Sequence, residues 1–205
     1  MSGPDVIVIG ASAGGFRALK GIFETLQDVS GKVVCVVLHR SPESSALAQV
    51  LQGYTAIPIH EPNTSPWNCP VGAVTVAPAG YHLLLGNDRR PSRTPQTAVE
   101  QYETGQGVRA HLTLDAPVVS SRPSLDVAFG SAAQLMNSVT AVLLTCASED
   151  GARGCETVKA AGGHVVLQDP VSCEAVLAVN AAMLRVKPDH VADPNGIGRW
   201  LSEVR

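Results

Sequence analysis

Residues 6–15 read VIVIGASAGG, and this stretch decides the fold. Four consecutive β-branched residues make a strand, and Gly10 ends it. The glycines around Ser12 permit a tight turn where larger side chains would clash. Phe16–Leu26 then puts Phe16, Leu19, Ile22, Phe23 and Leu26 on one helical face. The strand is apolar at every position instead of every second one, which suits a parallel sheet covered on both faces. A strand, a glycine turn and a helix therefore predict an α/β fold: a doubly wound, mainly parallel β-sheet flanked by helices.

The pattern continues along the chain. Val33–Leu38 reads as a second buried strand, Ser45–Leu51 as a short helix and Val74–Ala77 as a further strand. Leu83–Leu85, after a Pro-Ala-Gly turn, reads as the hairpin partner of Val74–Ala77. The polar stretch 86–107, with two prolines and three glycines, reads as a long exposed loop. Beyond it, Ser124–Met136 predicts a helix with Ser124 as its cap and Asp126 in its first turn. Strands at Thr140–Thr145 and His164–Gln168 alternate with helices at Gly154–Ala161 and Ser172–Leu184, and Ile197–Val204 closes the chain. No repeat or composition shift marks a boundary, so residues 1–205 are expected to form one domain.

The bulk properties narrow the function. Apolar residues make up 45% and charged residues 16%, enough for a sizeable core, while aromatics at 4% leave that core mostly aliphatic. A net charge of −3 with no basic run beyond Arg89-Arg90 argues against nucleic acid or an anionic membrane as partner. No apolar run reaches the length of a bilayer span, and the N-terminus has neither a basic region nor an apolar signal core. The five cysteines are scattered, with no CxxC pair for zinc or a redox dithiol. A reduced, cytoplasmic protein is the expectation.

The chemistry gathers at one sheet edge. Gly10-Ala11-Ser12-Ala13-Gly14 fits the G-x-S-x-G elbow, which exposes a serine hydroxyl at a strand tip beside a helix N-terminus. The same turn could bind an anion or nucleotide, although Ser12 stands where a dinucleotide fingerprint has its middle glycine, or it could be merely structural. A nucleophilic serine needs a base. Of six histidines, His39 follows the second strand directly and falls on the carboxyl edge with Ser12, where open α/β sheets place their sites. His60 and His82 are weaker candidates. Asp150 lies on the loop after the Thr140–Thr145 strand and could hold the imidazole tautomer, with Glu149 as competitor. The order Ser…His…Asp departs from the Ser…Asp…His order of α/β-hydrolases.

With these residues in place, the sequence resembles the catalytic domain of CheB-type chemotaxis protein-glutamate methylesterases. The resemblance rests on VIVIGASAGG, VVLHRSP (36–42), VTVAPAGYHLLL (74–85), SRPSLDVAFGSAA (121–133) and LLTCASEDGARG (143–154), in that order. It covers residues 6 to about 184 and leaves no counterpart to the family's phospho-receiver domain. It implies hydrolysis of γ-glutamyl methyl esters on the cytoplasmic signalling helices of chemoreceptors, with possible glutamine deamidation, and no cofactor. It places the catalytic serine, histidine and aspartate at Ser12, His39 and Asp150, and backbone oxyanion donors at Ala13 and Ala147. Arg122 becomes a candidate contact for an acidic receptor segment, or equally a surface arginine. Cys146, Trp67 and Trp200 read as packing residues, and His82 as a structural one.

Two departures stand out. Cys146 and Ser148 replace the glycines of the family's T-G-x-G-x-D-G loop, and Ala178-Val179-Asn180 replaces its common Gly-Met-Pro. A displaced oxyanion donor would weaken catalysis. The alternatives are thus a receptor- or partner-binding module with the same fold and weakened or lost activity, and an anion or nucleotide binder acting through the 10–15 turn.

Overall fold

Branched aliphatic runs dominate the computed structural model as strands; it describes residues 3–41, 46–91 and 102–204. The strands are β1 (Asp5–Ala11), β2 (Lys32–Leu38), β3 (Ile59–His60), β4 (Trp67–Asn68), β5 (Ala73–Val76), β6 (His82–Pro91), β7 (Tyr102–Thr113), β8 (Val139–Leu143), β9 (His164–Gln168) and β10 (His190–Ala192). The helices are α1 (Gly15–Thr25), α2 (Leu47–Gln52), α3 (Leu125–Ala132), α4 (Ala152–Ala160), α5 (Leu177–Arg185) and α6 (Pro194–Glu203). Seven strands form one parallel sheet in the order β10-β9-β8-β1-β2-β5-β3, and β4-β7-β6 form a small antiparallel sheet. The chain leaves β1 towards β2 on one side and later returns to fill β8, β9 and β10 on the other. β1 is therefore the switch point, where doubly wound sheets open a crevice at their carboxyl ends.

Period-two alternation splits the core into two layers. Val6, Val8, Val33, Cys35, Val37, Leu143 and Leu167 pack with α3, α4 and α5 residues such as Phe129, Val158 and Val179. Ile7, Ile9, Val34, Val36, Leu144 and Val166 face α1, α2 and α6 through Leu19, Ile22, Phe23, Leu51, Ile197 and Leu201. Each fully buried aliphatic or aromatic side chain contributes about 1.5–3 kcal/mol relative to exposure. Successive residues of β1 and β2 thus bury on opposite faces, which is why their sequences show no polar alternation.

The expected doubly wound architecture is present, but four segments differ. Leu83–Leu85 does not pair with Val74–Ala77: β5 lies between β2 and β3, and β6 pairs with β7. The predicted loop 86–107 is strand as far as Pro91 and again from Tyr102, while residues 92–101 lie outside the described residues. Polar side chains there say little, because a ribbon with a solvated face holds itself by its ladder and one apolar face, here Leu83, Leu85, Val108 and Ala110. The predicted helix Ser172–Leu184 begins only at Leu177; before it stands a 3-10 turn, Pro170–Ser172, capped by Asp169, whose side chain accepts from Val171 N. The short helix expected at Ser45–Leu51 runs Leu47–Gln52, with Ser45 outside the described residues. No helix among the described residues is long and apolar enough to cross a membrane.

Candidate active site

Ser12 leaves the end of β1 at the switch point. Its carbonyl accepts from Gly15 N at 2.7 Å, closing the turn, and its own N–H donates to Thr145 O at 3.0 Å. Two glycines make this turn possible. Gly14 has φ +75°, and a Cβ there would lie 2.6 Å from Glu174 Cβ; a Cβ on Gly15 would lie 2.7 Å from both Ala11 Cβ and Leu38 Cδ1. The first needs left-handed backbone, the second close approach of helix to sheet. Ser12 is half-buried, and among the described residues its hydroxyl has no hydrogen-bond partner.

His39 stands beside Ser12 because β1 and β2 pair in register, with Ala11 opposite Leu38 and His39 N donating to Ala11 O at 3.0 Å. The imidazole Nε2 lies 2.8 Å from Asp150 Oδ2. Nδ1 lies 3.3 Å from Ser121 Oγ. The ring therefore turns Nε2, not Nδ1, to the carboxylate, and Nδ1 to Ser121. Burial alone would lower the His39 pKa, but the Asp150 carboxylate and the Cys146 thiol beside the ring outweigh it and raise it from 6.5 to about 9.

Asp150 has a side chain with no exposure to solvent. Burial pushes its pKa up, yet hydrogen bonds to the charged form win and hold it below the ordinary carboxylate range. Besides His39, Leu125 N donates to Oδ2 at 2.8 Å, while Asp126 N and Ser124 Oγ each donate to Oδ1 at 2.9 Å. These donors are the opening turn of α3, so the carboxylate also meets the positive end of that helix. Ser124 is the expected cap, accepting from Val127 N, and it serves the carboxylate at the same time. Ser124 N donates to His82 Nδ1 at 3.2 Å, and His82 Nε2 reaches Ala116 O at 3.1 Å. His82 thus pins the segment from Ala116 to Ser124. Glu149 is exposed and makes no contact with His39 among the described residues, leaving the carboxylate position to Asp150.

The loop with the two departures is fixed by side chains. Thr145 Oγ1 donates to Ala13 O at 2.8 Å and accepts from Ala175 N at 2.8 Å, and Thr145 N donates to Gln168 Oε1 at 2.9 Å. Neither Cys146 nor Ser148 adopts a positive φ, so the loss of both glycines strains no backbone. The Cys146 thiol is buried, lies 3.4 Å from Ser148 Oγ, and is kept below the usual thiol range: burial opposes this, but His39 and Ser148 prevail. The N–H groups of Ala13 and Ala147, both exposed residues, have no partner among the described residues. Asn180, where proline is common, uses its N–H to close α5 on Val176 O at 2.9 Å.

Arg122 is spent locally, since Nη1 donates to Leu114 O at 2.9 Å and to Asp115 O at 3.1 Å. His60 sits on the edge strand β3, away from the cluster. It borders a cavity of about 740 Å³ between Arg40, Gln52, Ile59 and Trp67. Phosphate at the 10–15 turn would meet the Glu174 carboxylate, whose Oε2 lies 2.9 Å from the Gly14 Cβ position. Among the described residues no three His, Cys, Asp or Glu side chains gather as a metal-ligand set. No sequence signal nominates Ser121. Its approach to His39 depends on a tight turn at Val118–Ser121 with Val119 (φ 48°) and Ser120 (φ 63°) both left-handed, which a valine does not advertise.

Comparison with known proteins identifies the family. The family model for CheB methylesterase matches residues 7–201. This chain belongs to the CheB methylesterase family. A Leptospira interrogans relative, provisionally named a protein-glutamate methylesterase/protein-glutamine glutaminase, is 33% identical over 189 residues, covering 91% of this chain and 88% of its own. A Cupriavidus metallidurans protein named protein-glutamate methylesterase/protein-glutamine glutaminase 1 is also 33% identical, over 84% of this chain but only 44% of its own length. The crystal structure of the Thermotoga maritima CheB methylesterase catalytic domain superimposes with a TM-score of 0.82 at 25% identity, covering 99% of both chains. The family's fold is accordingly the fold described above.

Proposed function

We propose that this protein is a serine esterase that hydrolyses γ-glutamyl methyl esters on methylated chemoreceptors or a similar methylated signalling protein. The observation that carries the reading is the 2.8 Å contact of His39 Nε2 with the buried Asp150 carboxylate, one strand over from Ser12. In this reading His39 Nδ1 takes the proton of Ser12 as Oγ attacks the ester carbonyl. The oxyanion is met by the free N–H groups of Ala13 and Ala147. The imidazolium returns the proton to the methoxy oxygen and methanol leaves. Water, deprotonated by His39, then releases the glutamate carboxylate and restores Ser12. Asp150 holds the ring and stabilises its charged form throughout. Arg122, its guanidinium fixed by two carbonyls, remains the candidate contact for an acidic segment of the substrate.

The names of the relatives favour a second use of the same acyl-enzyme: a glutamine side chain would release ammonia instead of methanol. Purified protein given a methylated receptor cytoplasmic fragment should release methanol, and Ser12→Ala should reduce the rate by about 10⁶-fold, the scale for losing a triad serine. A fluorophosphonate should label Ser12 stoichiometrically. Unimpaired turnover by Ser12→Ala would sink the mechanism, and absence of both turnover and labelling would leave a partner-binding module. Ammonia release from an unmethylated, glutamine-bearing fragment tests deamidation separately.

A further inference from the structure

Asp126 lies in the first turn of α3, close to Asp150, and its side chain turns away from its own helix. Its Oδ1 accepts from Gly151 N at 2.9 Å and from Gly154 N at 2.7 Å, the opening N–H groups of α4. Asp150, one residue before Gly151, meanwhile accepts from Leu125 N and Asp126 N at the start of α3. Each helix thus has its N-terminal N–H groups satisfied by a carboxylate from the other, an exchange that ties the two starts together. Little slack remains at the crossing: a Cβ on Gly154 would lie 2.6 Å from Phe129 Cβ and 3.2 Å from Asp126 Cα. Burial and the neighbouring Asp150 charge push the Asp126 carboxyl above the ordinary range, against the two N–H groups that favour its charged form.

We propose that Asp126 is a positioning residue for the esterase reaction: by gripping Gly151 N and Gly154 N it fixes the backbone that carries Asp150, and so the carboxylate that faces His39. The proposal rests on the reading of Ser12, His39 and Asp150 given above. Asp126 touches none of the reacting atoms. The charged groups acting on it are Asp150 and Arg153, and its own charge is felt by Cys155; His39 is reached only through Asp150.

The experiment combines steady-state kinetics on the methylated receptor fragment with histidine NMR titration of His39. Asp126→Ala should lower kcat by about 10- to 100-fold, the scale for small misplacement of a catalytic group, with KM unchanged. In the same variant the His39 titration should fall from about 9 towards 6.5. Asp126→Asn keeps an oxygen acceptor for both N–H groups and should restore most of the rate and of the titration. Should Asp126→Ala fail to fold, Asp126→Ser, whose shorter side chain cannot span both N–H groups, is read in its place. A folded Ala or Ser variant with wild-type kcat and wild-type His39 titration overturns the proposal. An effect confined to KM, or an Asn variant as impaired as Ala, does so too. Full turnover by Ser12→Ala would instead fail the esterase reading, while the His39 titration would still report the grip of Asp126.

Discussion

The two halves of the site are built in opposite ways. On one side Asp150 is sealed from solvent and receives hydrogen bonds from His39, Ser124, Leu125 and Asp126. On the other side Ser12 is half-buried, and among the described residues neither its hydroxyl nor the N–H groups of Ala13 and Ala147 have a partner. In the proposed reaction the organisation falls on the carboxylate that would hold the imidazole, and the groups that would meet a substrate are left open. Burying an anion is costly unless donors replace water, and four donors with a helix N-terminus do so. Ser12 needs only to be held at the right place, which its backbone bonds to Gly15 and Thr145 achieve.

This contrast predicts a split between activity and stability. Ser12→Ala, the largest loss of rate, should leave thermal stability within about 0.5 kcal/mol of wild type, since no hydrogen bond is broken. Asp150→Asn should lose about 10⁴-fold in turnover, the cost of a mis-set imidazole. It should also lose about 1–3 kcal/mol in stability, because an amide N–H₂ replaces an oxygen facing donors. Urea denaturation alongside methanol release checks both. Equal destabilisation by the two variants would erase the distinction between the halves.

The pH dependence sharpens it further. With His39 raised to about 9, the imidazole is charged near neutrality and must lose its proton to act as a base. The rate should therefore climb about tenfold per pH unit below that value and level off above it. Stability should move the other way. The folded pKa is higher than the unfolded 6.5, so the His39–Asp150 contribution is complete below 6.5 and is lost as pH rises through about 9. In Asp150→Asn the opposing trends should collapse together, with the rate profile displaced to lower pH.

Much of this was legible in the chain. Ser12, His39 and Asp150 could be placed on one edge because each follows a strand-type run, and strand ends are where a parallel sheet gathers its loops. Closeness in sequence suggests a hairpin between Leu83–Leu85 and Val74–Ala77, while the actual pairing of β5 with β2 and β3 is set by the sheet as a whole. The polar strands β6 and β7 hid behind composition. The ring orientation of His39 was not legible either: it depends on donors brought by α3, far along the chain, and on Ser121, which arrives on a turn whose left-handed valine no propensity would nominate.

That turn yields the two smallest expected effects. In the proposed reaction Ser121 Oγ, 3.3 Å from Nδ1, would compete with Ser12 for that imidazole nitrogen. Such a long bond is weak, so Ser121→Ala should raise kcat/KM by about fivefold at most, the equivalent of about 1 kcal/mol. Val119 tests whether the turn's conformation matters to the open half. A β-branched residue at φ 48° carries strain of about 1–3 kcal/mol. Asparagine tolerates that region without glycine's entropic cost. Val119 is also 45% exposed, so little packing is lost on replacement. Val119→Asn should therefore raise Tm by about 2–4 °C for each kcal/mol relieved. If the strained turn only delivers Ser121, kcat will stay at the wild-type value. A fall in kcat in this more stable variant would show that the open half, too, is held in place, through the backbone at Val119 instead of through buried donors.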